Sequence, residues 1–150
     1  MDPHELAEWM RKEHERIEVL LENAREKIAV VPRTNLKNWL SELRECVEHI
    51  RAHIQKHMAL EEHNGYLKEV LDRRPTLAGS VEKLRREHTA LTRIVDGIFA
   101  DMKEMMPEDQ LLIRDCCRRI GHFLDDVKHH EGDENLLVLS VFSRDIGTEG

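Results

Sequence analysis

Aromatic residues are nearly missing from this chain of 150: two Trp, one Tyr and three Phe make up 4% of it, beside only seven Gly and four Pro. Sheet proteins draw on aromatic and β-branched pairs and on frequent turn residues, so this poverty argues against a β architecture. The 35% of charged residues, joined by many Leu, are largely good helix formers. Composition therefore points to an all-α protein. Its length suits one domain over 1–150, long enough to bury a core without disulfides.

Other absences narrow the function. Three cysteines, Cys46 and the adjacent Cys116-Cys117, form no CxxC and cannot all pair within one chain. Neighbouring helical cysteines diverge by about 100° and bridge poorly, so the three read as packing residues of a reducing compartment. No apolar run approaches the roughly 20 residues of a membrane span. The start, Asp2-Pro3-His4-Glu5, is not a basic and then apolar signal segment, which predicts a soluble, cytoplasmic protein. A net charge of -7 with both signs interspersed excludes a phosphate-tracking or membrane-binding surface. Nucleic acid and membrane are thus not expected partners. No exposed apolar stripe is long enough to require a partner protein, and the oligomeric state is left open.

What the chain does have is helical periodicity. Asp2 as N-cap, Pro3 at the first helical position and Glu5 three residues after Asp2 form a capping box, and the helix should end before Pro32. Within it Ala7, Met10, His14, Ile17, Leu21, Ala24 and Ile28 alternate three- and four-residue steps, the seam of an antiparallel bundle. Pro32-Arg33-Thr34-Asn35 supplies a turn and a new cap, after which Leu36, Leu40, Leu43, Val47, Ile50, Ile54, His57 and Glu61 continue the alternation. That helix can run to Arg73, with Gly65 weakening or bending it. A third follows Pro75-Thr76 or Gly79-Ser80, with the seam Leu77, Val81, Leu84, His88, Leu91, Val95, Ile98 and Met102. Pro107 fits the first turn of the last helix, whose seam runs Leu112, Cys116, Ile120, Phe123, Val127, His130, Glu134, Leu137 and Val141. The tail after Ser143 should fray.

Polar residues interrupt these seams in a matched way. His57 precedes Glu61 by four residues, as His130 precedes Glu134, so each pair leaves one helix face a turn apart. Glu13-His14 and Glu87-His88 lead into the two pairs, with 43 residues from His14 to His57 and 42 from His88 to His130. Equal path lengths through two antiparallel hairpins put all six side chains at one depth. A lone seam histidine is more often a hydrogen-bonded core residue. Four histidines and two glutamates in a repeat are different, because each unpaired buried carboxylate costs on the order of several kcal/mol without a compensating cation. Imidazole and carboxylate together suit iron, manganese or zinc.

Heptad positions sort the other histidines. With the seam called a and d, His49, His63, His122 and His129 fall at c and should face solvent. His53 falls at g, one turn before His57, and Asp126 occupies the equivalent place before His130; these two are additional candidate ligands. Glu62 and Glu131 leave the seam and suit salt bridges or contacts behind the ligands. Tyr66 is placed to close one end of the bundle. Met10, Ile17, Ile54, Leu84, Leu91, Phe123, Val127 and Leu137 should form an apolar collar that controls solvent access.

On these residues, from Glu13-His14-Glu15 through His57-x3-Glu61 and His88 to His130-x3-Glu134, the sequence resembles the hemerythrin-like, or HHE, cation-binding family along nearly its whole length. The resemblance implies an up-down-up-down four-helix bundle holding two non-heme iron ions, oxo/hydroxo- and carboxylate-bridged. It implies His14 and His57, with His88 and His130, as terminal ligands divided between the irons, and Glu61 and Glu134 as bridges. Open iron positions would then bind or reduce O2, H2O2 or NO, or the chain would supply iron; a non-catalytic sensor or iron-binding module is the alternative. Oxygen-carrying hemerythrins place two histidines one turn apart on the third helix, whereas Thr92 and Leu84 flank His88 here. In that respect the chain looks closer to the di-iron domain of the Repair of Iron Centers proteins.

Overall fold

The computed structural model describes residues 2–143, and of Pro3, residues 62–64 and residues 142–143 the backbone alone. The expectations for Glu62, for His63 and for the tail after Ser143 lie outside the described residues.

Five helices carry the described residues: α1 (Pro3–Ala29), α2 (Leu36–Asn64), α3 (Tyr66–Arg73), α4 (Ala78–Glu104) and α5 (Gln110–Val138). A 3-10 turn, Pro75–Leu77, leads into α4, and a π turn, Leu139–Ser143, extends α5. The Asp2 carboxylate accepts the Glu5 amide (2.8 Å) and the Glu5 carboxylate accepts the Asp2 amide, so the expected capping box starts α1. Asn35 caps α2 through its backbone, in the left-handed region at φ 55°, without a side-chain bond.

α1 packs against α2 and α5, and α4 packs against the same two. The four long helices thus form an antiparallel ring with α2 and α5 on one diagonal and α1 and α4 on the other. Trp39 Nε1 donates to the Lys27 carbonyl (3.1 Å), tying the start of α2 to the end of α1. Arg44 donates to the Met102 and Met105 carbonyls, both at 2.5 Å, closing the C-terminus of α4.

Two findings differ from the periodicity as read. The chain turns at Pro107–Glu108, with the Asp109 amide bonded to the Met106 carbonyl, so α5 begins three residues after Pro107 rather than around it. Consequently Ile113, 2% exposed, takes the core position that was expected for Leu112, which is 58% exposed. At Gly65 the chain breaks instead of bending. A Cβ there would stand 2.4 Å from the Glu61 Cα and 2.5 Å from the Glu61 and Leu60 carbonyl oxygens, so only glycine lets α3 turn away so soon after α2.

The core is split into two apolar clusters. The larger gathers Ile17, Leu21, Leu43, Ile50, Leu91, Ile98, Ile120 and Phe123 among others, and the smaller gathers Leu6, Met10, Tyr66, Leu67, Val81, Leu84 and Leu137. Each buried Leu, Ile or Phe contributes about 1.5–3 kcal/mol, which lets the two layers hold a costly polar layer between them. All eight residues of the expected collar are buried in one cluster or the other. Cys46, Cys116 and Cys117 are free, and burial pushes the Cys116 thiol up to about 11, consistent with packing rather than reactivity. Among the described residues no helix is long and apolar enough to cross a membrane.

Candidate metal centre

The polar layer contains the six residues singled out by their seam positions. His14 on α1, His57 and Glu61 on α2, His88 on α4, and His130 and Glu134 on α5 are all buried, with Glu61 1% and Glu134 0% exposed. They meet because each helix continues its apolar stripe on both sides of them.

Within the layer the atoms fall into two halves. His14 Nε2 lies 3.1 Å and His57 Nε2 3.5 Å from Glu134 Oε2, and His57 Nε2 also touches Glu61 Oε1. On the other side His88 Nε2 lies 2.9 Å and His130 Nε2 2.6 Å from Glu134 Oε1, and His88 Nε2 lies 2.8 Å from Glu61 Oε2. Each carboxylate therefore gives one oxygen to each half. Among the described residues His14, His57 and Glu134 form one cluster able to hold a metal, and His88, His130 and Glu134 form another.

The outer ring nitrogens fix which face each imidazole presents. His14 Nδ1 donates to Asn135 Oδ1 (2.7 Å) and His130 Nδ1 donates to Glu87 Oε1 (2.8 Å). With Nδ1 protonated, a neutral ring aims its Nε2 lone pair at a carboxylate oxygen, an arrangement that repels unless a cation lies between them. In the metal-free chain that cation is a proton. Burial alone would depress the histidines, but the Glu134 and Glu61 carboxylates outweigh it, raising His57 to about 11 and His88 to about 9. His14 and His130 are raised as well, against burial, chiefly by Glu134. Burial pushes Glu134 up, but the His130, His14, His57 and His88 rings around it hold it well below the usual carboxylate range.

Protons do not complete the layer. His57 Nε2 and the two Glu61 oxygens meet at close range but outside hydrogen-bond geometry, and His88 Nδ1 is buried without a partner. Buried polar atoms left unpaired this way cost about 1–3 kcal/mol each, and a metal ion accepts lone pairs from the directions they point. Nitrogen and carboxylate donors in a dry layer fit a divalent first-row metal.

The candidates beyond these six separate. His53 lies 3.5 Å from Glu13 and stacks on His57 at 6.1 Å between ring centroids, so it reaches the flank of the centre. Asp126 does not: it is exposed, and Glu87 takes the flank beside His130. His49, His122 and His129 are exposed as their c positions require. Tyr66 is fully buried at the end of the layer, and burial with the nearby Glu134 and Glu61 charges holds its phenol well above its ordinary value. Glu131 is half-buried, and burial raises its carboxyl to about 7 against the pull of His14.

Seam counting passed over Glu13, Glu87 and Asn135. Glu13 is 8% exposed and faces His57 Nδ1 at 3.7 Å, as Glu87 faces His130 Nδ1. The signal was present: a glutamate stands immediately before the seam histidine in both halves of the repeat. Trp9 was unmarked too, and its ring stacks on His57 at 5.7 Å and 4°.

Fold and layer together define a four-helix protein built to hold a cation in its core. The family model of the hemerythrin HHE cation binding domain matches residues 5–142, and the chain belongs to that family. Comparison with curated proteins found no match, and neither did comparison with solved structures.

Proposed function

We propose that this chain is a non-heme di-iron protein that binds or reduces a small oxidant, O2, H2O2 or NO. The observation that carries the reading is the division of Glu61 and Glu134, each with one oxygen toward His57 or His14 and the other toward His88 or His130. Two carboxylates so divided suit a pair of ions, one held further by His14 and His57 and the other by His88 and His130. Iron in that setting supplies reversible binding or reduction of the oxidant.

The protein's own part is orientation and exclusion of water. Asn135 and Glu87 set the tautomers of His14 and His130, and Trp9 fixes the plane of His57. The two apolar clusters close the layer above and below. A groove of about 730 Å³ between α1 and α5 has His14 and Asn135 in its wall, a route by which a diatomic or peroxide reaches the His14 side. Four protein donors on each side leave room for such a ligand on a six-coordinate ion.

Thr92 occupies the place one turn after His88 where oxygen-carrying hemerythrins bear a further histidine, and its hydroxyl donates instead to Met58 Sδ (3.3 Å). That favours a reading nearer the Repair of Iron Centers type than a reversible oxygen carrier. Anaerobic and aerobic ultraviolet-visible spectra of the iron-loaded protein test the reading. Oxidant-dependent change in a near-ultraviolet charge-transfer band, with rapid consumption of peroxide or nitric oxide by the reduced form, is expected. Spectra indifferent to all three oxidants contradict it.

A further inference from the structure

Glu13, His53 and His57 converge on the flank where α1 packs against α2, on the outer side of the His57 ring, away from the atom it turns toward Glu134 and Glu61. Glu13 Oε2 lies 3.5 Å from His53 Nε2 and 3.7 Å from His57 Nδ1, and the three donor atoms all fall within 4.8 Å of one another. These separations are too long for hydrogen bonds, and both His53 Nε2 and His57 Nδ1 are buried without a partner. They approach the roughly 3.0–3.4 Å between adjacent ligands of one ion bonded at about 2.1 Å. Arg16 occupies the other oxygen, Oε1 of Glu13, at 3.0 Å, so Oε2 is the atom left facing the rings. Trp9 and His53 lie nearly parallel to the His57 ring, at 4° and 17°, and keep its Nδ1 directed at Glu13.

We propose that Glu13, His53 and His57 form a third cation site, for a divalent first-row ion such as Fe2+, Co2+ or Zn2+, where an ion waits before it enters the His14/His57 half of the centre. One carboxylate and two neutral imidazoles give such an ion three protein donors and leave solvent to complete its shell. His53 is the outermost of the three, with 17% of its side chain exposed. The waiting role rests on the two-ion reading; the binding itself does not. Among the described residues the opposite flank has no counterpart. There Glu87 accepts directly from His130 Nδ1 at 2.8 Å, and Asp126, in the place equivalent to His53, is exposed. Ions therefore approach the centre from the α1/α2 side.

Equilibrium dialysis with Co2+ tests the site without the inner carboxylates. Glu61→Ala/Glu134→Ala protein should bind one Co2+ per chain more than the same protein carrying His53→Ala as well. Equal uptake by the two overturns the third site. Wild-type protein taking up fewer than two ions would count against the inner centre alone, since the His53 difference is read without it. Should circular dichroism show the double variant unfolded, uptake kinetics in the wild-type background decide. His53→Ala should then slow Co2+ loading by about tenfold or more with the final loading kept, and loading at the wild-type rate overturns the proposal.

Discussion

Glu61 and Glu134 stand on diagonally opposed helices and divide their oxygens alike, Glu61 between His57 and His88, Glu134 between the His14/His57 pair and the His88/His130 pair. A single carboxylate between two histidines is an ordinary buried ion pair. Two of them sharing four rings, with Glu61 meeting His57 and His88 outside hydrogen-bond geometry, leave lone pairs that a metal ion suits.

Glu87 and Asn135 hold imidazoles by their outer nitrogens, so their loss should act on metal affinity more than on fold. Glu87→Gln and Asn135→Ala are each expected to weaken iron binding about 10–100-fold in a chelator competition, with the circular dichroism spectrum unchanged. Undiminished affinity in both would show that the tautomers are set some other way.

The metal-free chain should lose stability as pH rises. His57 and His88 are held up to about 11 and about 9, above the roughly 6.5 of an unfolded histidine, so their contribution is full below that value and fades as pH climbs through about 9 and then about 11. Glu134, depressed in the fold, contributes in the opposite sense: its share is present above the unfolded carboxylate value and lost as pH falls through the folded one. The melting temperature of metal-free protein should fall between about pH 7 and about pH 10, and metal loading near neutrality should release protons into a weakly buffered solution. A metal-free melting temperature that rises over that interval would contradict the assignment.

Gly65→Ala forces a methyl against the backbone of Glu61 and Leu60, which cannot rotate away as a side chain would. A loss of about 1–3 kcal/mol in urea unfolding is expected, with lowered iron content because the displaced segment carries Glu61. Gly79→Ala, where nothing approaches the new methyl, is the matched control and should leave iron content unchanged.

His49→Ala, His122→Ala and His129→Ala should each change stability by no more than about 0.5 kcal/mol and leave metal content intact, since all three residues are exposed. His88→Ala, at a residue 2% exposed, should empty its half of the centre.

The long helices were legible because their apolar seams persist for many turns, and the six central residues because they interrupt those seams at matching depths. Leu112 was misplaced for a local reason: carrying the alternation of three and four back from Cys116 reaches Ile113, and the turn at Pro107–Glu108 delays the helix accordingly. Glu13 and Glu87 escaped because a heptad treats the flanking position as solvent boundary, whereas antiparallel neighbours bring flank to flank. His53 met Glu13 in this way, whereas Asp126 stays exposed and Glu87 takes the flank beside His130. Asn135 gave no periodic signal at all. Its role depends on where the His14 ring points, which only the packed bundle determines.

The central claim is that Glu61 and Glu134 join two ions held by four histidines. Iron analysis of reconstituted wild-type, Glu61→Ala and Glu134→Ala proteins, with folding checked by circular dichroism, tests it most directly. The account predicts about two irons per wild-type chain and a loss of at least one in each variant; full iron content in both variants, or a wild-type chain that holds no iron, would contradict it.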